Sequence, residues 1–285
     1  MKKVSNVVSS VPVEMGDITM KQPLPVKAIE RIDPFLLIQH GSGTIPPGSD
    51  YRKLGVGPHP HRGFSPVTFI FKGSVHHRDS AYNSEEVEEG GTQWMHAGRG
   101  ITHSERPGKA LAAQGGPNEI IQFWVNSPAQ HKMDLPSYQP ISKEETPIVR
   151  KGNTKIAVVA GDFEGTKGPA KTLTEQILLR LSSQQGDRFS LEIPAHFNCL
   201  IYLLDGELKI NEHLVKAEEM IYFEKEGEAI HIHAKANTRA TLLSGVPINE
   251  PVAEYGPFVM NTETEILEAL RDSQQGKMGV LIEDF

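Results

Sequence analysis

Two short segments constrain this chain more than any other feature. Pro58-His59-Pro60-His61-Arg62-Gly63-Phe64 carries two histidines two residues apart, and Trp94-Met95-His96-Ala97-Gly98-Arg99-Gly100-Ile101-Thr102-His103-Ser104-Glu105 ends on a second such pair, His103 and Glu105. In an extended strand, residues two apart project from the same face. Strands placed side by side would bring three imidazoles and one carboxylate to one point, a donor set suited to a divalent transition metal. Val67-Thr68-Phe69-Ile70-Phe71 reads as a strand and Gly90-Gly91 as a turn, so hairpin connections can bring the pairs together. Gly98 and Gly100 give the backbone freedom for a tight bend ahead of His103. One His-x-His among 12 histidines is weak evidence alone, and the second pair in this setting gives it weight.

Composition narrows the classes. A chain of 285 residues is long enough for two domains, each with its own core. Its 26 glycines and 20 prolines, set among many short apolar runs, suit an all-β, turn-rich protein. No apolar run reaches the length of a membrane span, and Met1-Lys2-Lys3-Val4-Ser5-Asn6 lacks the apolar block of a signal peptide. Cys199 is the single cysteine, which excludes an internal disulfide and fits a reducing, cytoplasmic setting. A formal net charge of -7 without a long basic run argues against direct nucleic-acid binding.

The motifs resemble those of a known family. The His59 and His103 segments, together with His77-Arg78-Asp79-Ser80 and Gln93-Trp94-Met95, are similar to the pirin signature within the cupin superfamily. The tail, Asn249-Glu250-Pro251-Val252 and Tyr255-Gly256-Pro257-Phe258-Val259-Met260-Asn261-Thr262, resembles the same family. The resemblance implies an all-β fold of two tandem cupin barrels with a short C-terminal helix. It implies one mononuclear metal in the N-terminal barrel, bound by His59, His61, His103 and Glu105. The sequence departs from the family at Gly63-Phe64-Ser65-Pro66, where an acid usually follows the phenylalanine, and at His96, where a small polar residue is usual.

Along the chain, residues 1–140 are expected to form the metal-binding barrel and 141–285 the second barrel, ending in the helix. Val7 to Pro12 and Ile32 to Gln39 read as strands of the first barrel, and Glu85 to Glu89 as a solvated acidic turn. His76 and His77 are adjacent and must face opposite sides, so at most one can point toward the metal; His77 is the candidate. Glu119 to Asn126 alternates as a strand, with Gln122 and Trp124 on one face; the family places the glutamine near the metal cavity, and core packing is the simpler role for Trp124. Ser127 to Glu145, with Pro128, Pro136 and Pro140, reads as the connection between barrels. Asn198 to Ile210 repeats the strand-turn-strand layout of Val67 to Val75, which points to internal duplication. The duplicate has lost its metal motif: Ile230 falls where a ligand would stand, and His231 and His233 share a face without a matching second pair. Thr264 to Ser273 is the one persuasive helix, with Ile266, Leu267 and Leu270 as its apolar stripe, expected to pack on the first barrel.

The resemblance also implies function. Several bacterial pirins are similar to quercetinase, an oxidoreductase that opens flavonols with O2. On that reading the partners are a small aromatic, flavonol-like substrate and O2. Iron(II) is the expected metal, with Mn, Co, Ni, Cu or Zn able to occupy the same donors. Glu105 would combine coordination with the role of catalytic base. The alternative is a non-catalytic, metal-dependent regulatory cofactor that binds protein partners, as eukaryotic pirins do. A monomer is expected, because two barrels can bury each other's faces.

Overall fold

Alternating apolar and polar positions between glycine-rich turns leave this chain one economical solution, which is short strands paired into sheets that face each other. The computed structural model describes residues 1–15 and 18–283. Strands dominate it, and two compact units emerge, one of residues 1–36 and 144–247, the other of 37–143 and 248–285. The fold is that of two cupin units with a short C-terminal helix.

In the second of these units, the strands Ser137–Ile141, Thr92–His96, Phe64–Lys72, Gly116–Asn126 and Phe35–Ile45 run side by side in that order. A four-stranded sheet, in the order Val56–His61, Ile101–Pro107, Ser74–Asp79 and Ser84–Glu88, supplies the other wall. Side chains cross between the walls: Gln93 Nε2 donates to the Val75 carbonyl at 2.8 Å, and Thr68 and Gln122 reach Glu105. The tail closes the unit. Its Ala253–Tyr255 and Phe258–Met260 strands pair, and the Glu263–Gln274 helix starts from a capping box formed by Thr262 and Glu265. Ile266, Ala269, Phe258, Met260 and Met278 form one apolar cluster, and Arg62 grips Asp272 of the helix at 3.0 Å.

The other unit repeats the plan. Its seven-stranded sheet runs Val4–Ser9, Glu219–Phe223, Asn198–Asp205, Thr238–Gly245, Gln176–Ser183, Thr154–Ala160, Ile148–Lys151, and its four-stranded sheet runs Asp187–Glu192, Ala229–Ala234, Glu207–Ile210, His213–Lys216. Leu191, Ile193, Phe197, Ile230 and Ile232 belong to its continuous apolar core. The duplication shows in the turns: Gly73 and Gly206 hold the same place, each where the chain passes from a strand of the seven-stranded sheet to one of the four-stranded sheet, with φ of 77° and 83°.

Three features differ from the sequence reading. The units do not divide at residue 140. Val4–Ser9 pairs with Glu219–Phe223, and residues 248–283 belong with the unit that carries His59 and His103, so each unit takes its terminal segment from the far end of the chain. The stretch expected as a connection contains the Ser137–Ile141 strand, which pairs with Thr92–His96 and sits at the sheet edge, where Pro140 costs no ladder hydrogen bond. The expected acidic turn is the edge strand Ser84–Glu88, with Val87 buried and its acids toward water. Charge on an edge strand discourages pairing with other chains.

Candidate metal centre

The two pairs read from the sequence meet as neighbouring antiparallel strands. His103 lies opposite His59, and Ile101 opposite His61; the register then slips, so Glu105 lies opposite Val56. The bend before His103 is a tight turn in which Gly100 N–H donates to the Ala97 carbonyl at 2.9 Å. Gly98 adopts φ of 48° there, and a Cβ would collide with the Asp134 carbonyl oxygen, so the position accepts glycine alone. Gly63, just past His61, is equally constrained: φ is 85° and a Cβ would strike the Val259 carbonyl oxygen. Lys132, itself buried, ties that corner by donating to the Gly63 carbonyl at 2.7 Å, Asn126 Oδ1 at 2.7 Å and the Val259 carbonyl at 3.0 Å.

His59, His61 and His103 offer donor atoms that all lie within 4.8 Å of one another, the sole such group among the described residues. Their rings crowd: centroids are 4.7 Å apart for His59 and His61, 4.4 Å for His59 and His103, and 5.0 Å for His61 and His103. His59 Nδ1 lies 2.8 Å from the Gly57 carbonyl, and His61 Nδ1 lies 3.3 Å from the Pro257 carbonyl. A carbonyl only accepts, so each Nδ1 carries the proton and each Nε2 keeps its lone pair. His103 uses Nδ1 toward His77, and its Nε2 is buried without any hydrogen-bond partner. Burial, then the charges of neighbouring imidazoles, pushes His61 and His103 well below the ordinary histidine range. Neutral rings with inward lone pairs are what a transition metal requires, and an orphaned buried nitrogen is otherwise a cost of about 1–3 kcal/mol. The residues fit a metal ion.

Glu105 is not a member of the three-histidine group. Its carboxylate accepts from Thr68 Oγ1 at 3.2 Å and from Gln122 Nε2 at 2.8 Å, both on the facing sheet. Gln122 thus reaches Glu105, consistent with the place near the cavity that the family resemblance implies. Trp124 is half-buried and packs against Phe64 and His61, with centroids 4.3 Å and 5.5 Å away, yet its buried indole Nε1 has no partner. Its role is packing with a polar atom left over.

His76 and His77 do face opposite ways. His76 contacts Tyr51 Oη and Ser84 Oγ, while His77 turns inward with 1% of its surface exposed. His77 Nε2 lies 3.0 Å from Asp79 Oδ2, its Nδ1 lies 3.4 Å from His103 Nδ1, and its ring stacks on Tyr138 at 3.9 Å and 7°. Burial works against the charge on Asp79, but hydrogen bonds from His77 and Asn83 hold its pKa below the usual carboxylate value. Tyr138 Oη is buried without a partner, and burial, then the Glu105 charge, raises its pKa. His96 is buried beside Ser65 and Ser127, outside the metal group. His231 and His233 lie on an exposed strand face, with Arg188 and Lys209 beside His233, which disfavours a cation. Sequence reasoning misses Asp79, Tyr138, Thr68 and the Pro257 carbonyl. The first stands two residues from His77 on the same strand face, within the His77-Arg78-Asp79-Ser80 motif, and those are the signals it offers.

The pattern described as Pirin matches residues 17–125, and that described as the Pirin C-terminal cupin domain matches residues 178–279. A Pseudomonas aeruginosa protein, named provisionally as a quercetin 2,3-dioxygenase, is 33% identical over 253 residues, 87% of each chain. Mouse pirin is 34% identical over 257 residues, 88% of this chain and 84% of its own. A crystal structure of quercetin 2,3-dioxygenase from Acinetobacter baumannii matches with a TM-score of 0.93 and 31% identity, covering 99% of this chain and 100% of that one. No helix among the described residues is long and apolar enough to cross a membrane. On sequence and on fold alike, this chain belongs to the pirin family.

Proposed function

We propose that the chain holds one divalent transition metal through Nε2 of His59, His61 and His103, and that it opens flavonol-type substrates with O2, releasing one ring carbon as carbon monoxide. The observation that carries the first half is the shared arrangement of three imidazoles, two with Nδ1 tied to a carbonyl and the third with a buried, unpartnered Nε2. The second half is supported by the relatives' names and by an environment in which an aromatic wall, Phe64 and Trp124, borders the His61 ligand. When bound, the ion supplies a Lewis acid that favours ionisation of a substrate hydroxyl and holds it beside dioxygen.

Glu105 is the proposed fourth ligand and base. Two of its lone pairs are committed to Thr68 and Gln122, and a carboxylate has about four, so capacity remains for coordination or for a proton. Gln122 N–H and Thr68 O–H orient the group and keep it from swinging away. Three neutral rings and one carboxylate carry -1, which leaves a divalent ion a net +1, enough to attract an enolate. Iron(II) is the proposed metal, although the donor set also accepts Mn, Co, Ni, Cu or Zn.

The test uses untagged protein stripped with chelator, loaded anaerobically with iron(II) and mixed with quercetin and air. Loss of the flavonol absorbance with release of carbon monoxide, reduced at least about a hundredfold by Glu105→Ala, is the expected result. Binding of metal with no turnover with iron(II), Mn, Co, Ni, Cu or Zn would overturn the enzymatic reading and leave a metal-dependent binding protein.

A further inference from the structure

Each of the three clustered imidazoles must keep a lone pair on the nitrogen that faces the cluster, and the backbone guarantees this for only two of them. Carbonyls at Gly57 and Pro257 fix the protons of His59 and His61 on Nδ1. His103 has no carbonyl there; its Nδ1 faces another ring nitrogen, His77 Nδ1, at 3.4 Å. In a neutral imidazole one nitrogen donates and the other accepts, so what His77 does is decided by whatever holds its far side.

That far side is Asp79. Asp79 Oδ2 lies 3.0 Å from His77 Nε2, and the carboxylate is itself held by a turn. The N–H groups of Ala81 and Asn83 donate to Oδ1 at 2.9 and 3.0 Å, and Asn83 Nδ2 donates to Oδ2 at 2.7 Å. A carboxylate surrounded by donors only accepts. His77 therefore carries its proton on Nε2, its Nδ1 holds a lone pair, and the proton between the two rings belongs to His103 Nδ1. Strand pairing makes the arrangement rigid: His103 lies opposite Asp79, and Glu105 opposite His77. Tyr138, stacked flat on His77, sets the plane of its ring.

We propose that Asp79 and His77 are positioning residues that fix the tautomer of His103, through a chain of two hydrogen bonds running from the Asp79 carboxylate to the ring, and so leave His103 Nε2 as a lone pair for the metal. The chain does for His103 what the Gly57 and Pro257 carbonyls do for the other two rings. It adds the field of a carboxylate, which makes His103 the most electron-rich of the three imidazoles. The metal half of this proposal rests on the metal reading given above; the tautomer half does not.

The experiment has two arms. In the first, side-chain nitrogen NMR of chelator-treated protein in weakly alkaline buffer reads which His103 nitrogen is protonated. Protonated Nδ1 in the wild type, with loss of that preference in His77→Phe, is expected. Protonated Nε2 in the wild type overturns the proposal, whether or not the chain binds metal. In the second, cobalt(II) and zinc(II) affinities are measured by chelator competition. His77→Phe keeps the stack on Tyr138 but cannot accept from His103, and is expected to weaken binding about 10- to 100-fold. His77→Gln restores an acceptor oxygen and is expected to recover most of that loss, with the cobalt(II) absorption spectrum returning toward wild type. Equal affinities for wild type and His77→Phe, or no recovery in a folded His77→Gln, would sink the proposal. Should His77→Phe fail to fold, Asp79→Asn serves in its place, since an amide can turn a donor toward His77 and unsettle the same proton. A wild type with the expected tautomer but no affinity for either ion would refute the metal reading and leave the tautomer assignment standing.

Discussion

Replacing His103 by leucine should separate the metal's contribution to stability from the protein's own. In the metal-free chain His103 Nε2 is buried without a partner, which costs about 1–3 kcal/mol relative to a solvated nitrogen. Leucine removes that cost and buries a side chain of similar size, worth about 1–2 kcal/mol. Against this, His77 Nδ1 loses its neighbour, a loss of about 1 kcal/mol. The gains outweigh the loss by about 1–4 kcal/mol, so the metal-free variant should melt above the metal-free wild type. The difference appears on adding metal. At a free concentration a hundred times the dissociation constant, a ligand bound only by the folded state stabilises it by about 2.7 kcal/mol. For a chain of this size that amounts to roughly 5–10 °C in melting temperature. Calorimetry of stripped protein with and without zinc(II) should show that rise in the wild type and none in His103→Leu. An equal rise in both proteins would refute the assignment of His103 as a ligand.

Stability of the metal-free protein should fall as pH drops below about 6.5, the ordinary histidine value, because unfolded histidines take up protons that buried His61 and His103 do not; the slope should approach about 1.4 kcal/mol per pH unit for each group, read from urea titrations across that range. The sign is fixed by the lowered folded pKa: the unfolded state binds more protons in that window, so stability is present above it and lost beneath it, and a flat profile would contradict the burial of these rings. Lys132→Met should cost about 3 kcal/mol in denaturant titrations, since three acceptors, the Gly63 and Val259 carbonyls and Asn126 Oδ1, lose their donor together. Gly98→Ala should be comparably harmful and should also lower metal content, because a left-handed residue pressed against the Asp134 carbonyl sets the turn that aims His103. Gln122→Leu should weaken metal binding about tenfold without unfolding the protein, by releasing one side of the Glu105 carboxylate.

Much of the site is legible in the sequence, because a period of two is the strongest statement a strand can make. His59 with His61, and His103 with Glu105, are placed on shared faces by spacing, and alternation lets only one of His76 and His77 turn inward, which is His77. The same rule says nothing about what lies across the unit. Thr68 and Gln122 meet Glu105 only because two sheets face each other, and Pro257 meets His61 only because the tail returns to the unit that holds the histidines. Backbone pairing is equally silent in sequence. Val4–Ser9 finds its partner in Glu219–Phe223 through main-chain hydrogen bonds that carry no side-chain signature, which is why a division at residue 140 misplaces both ends of the chain. Prolines conceal the Ser137–Ile141 strand and acids conceal Ser84–Glu88, since both residue classes argue for loops unless the strand lies at an edge. The helix, with its capping box and apolar stripe, is the opposite case: its signals are local, and it forms where they place it.

The central claim is that three imidazoles surround one ion, and X-ray absorption of the untagged chain loaded with a single equivalent of zinc(II) tests it most directly. The account predicts one tightly held ion per chain and a first shell containing about three imidazole nitrogens at roughly 2.0–2.1 Å, reduced in number by alanine at His59, His61 or His103. A shell without imidazole scattering, or metal content unchanged by those three replacements, would contradict it.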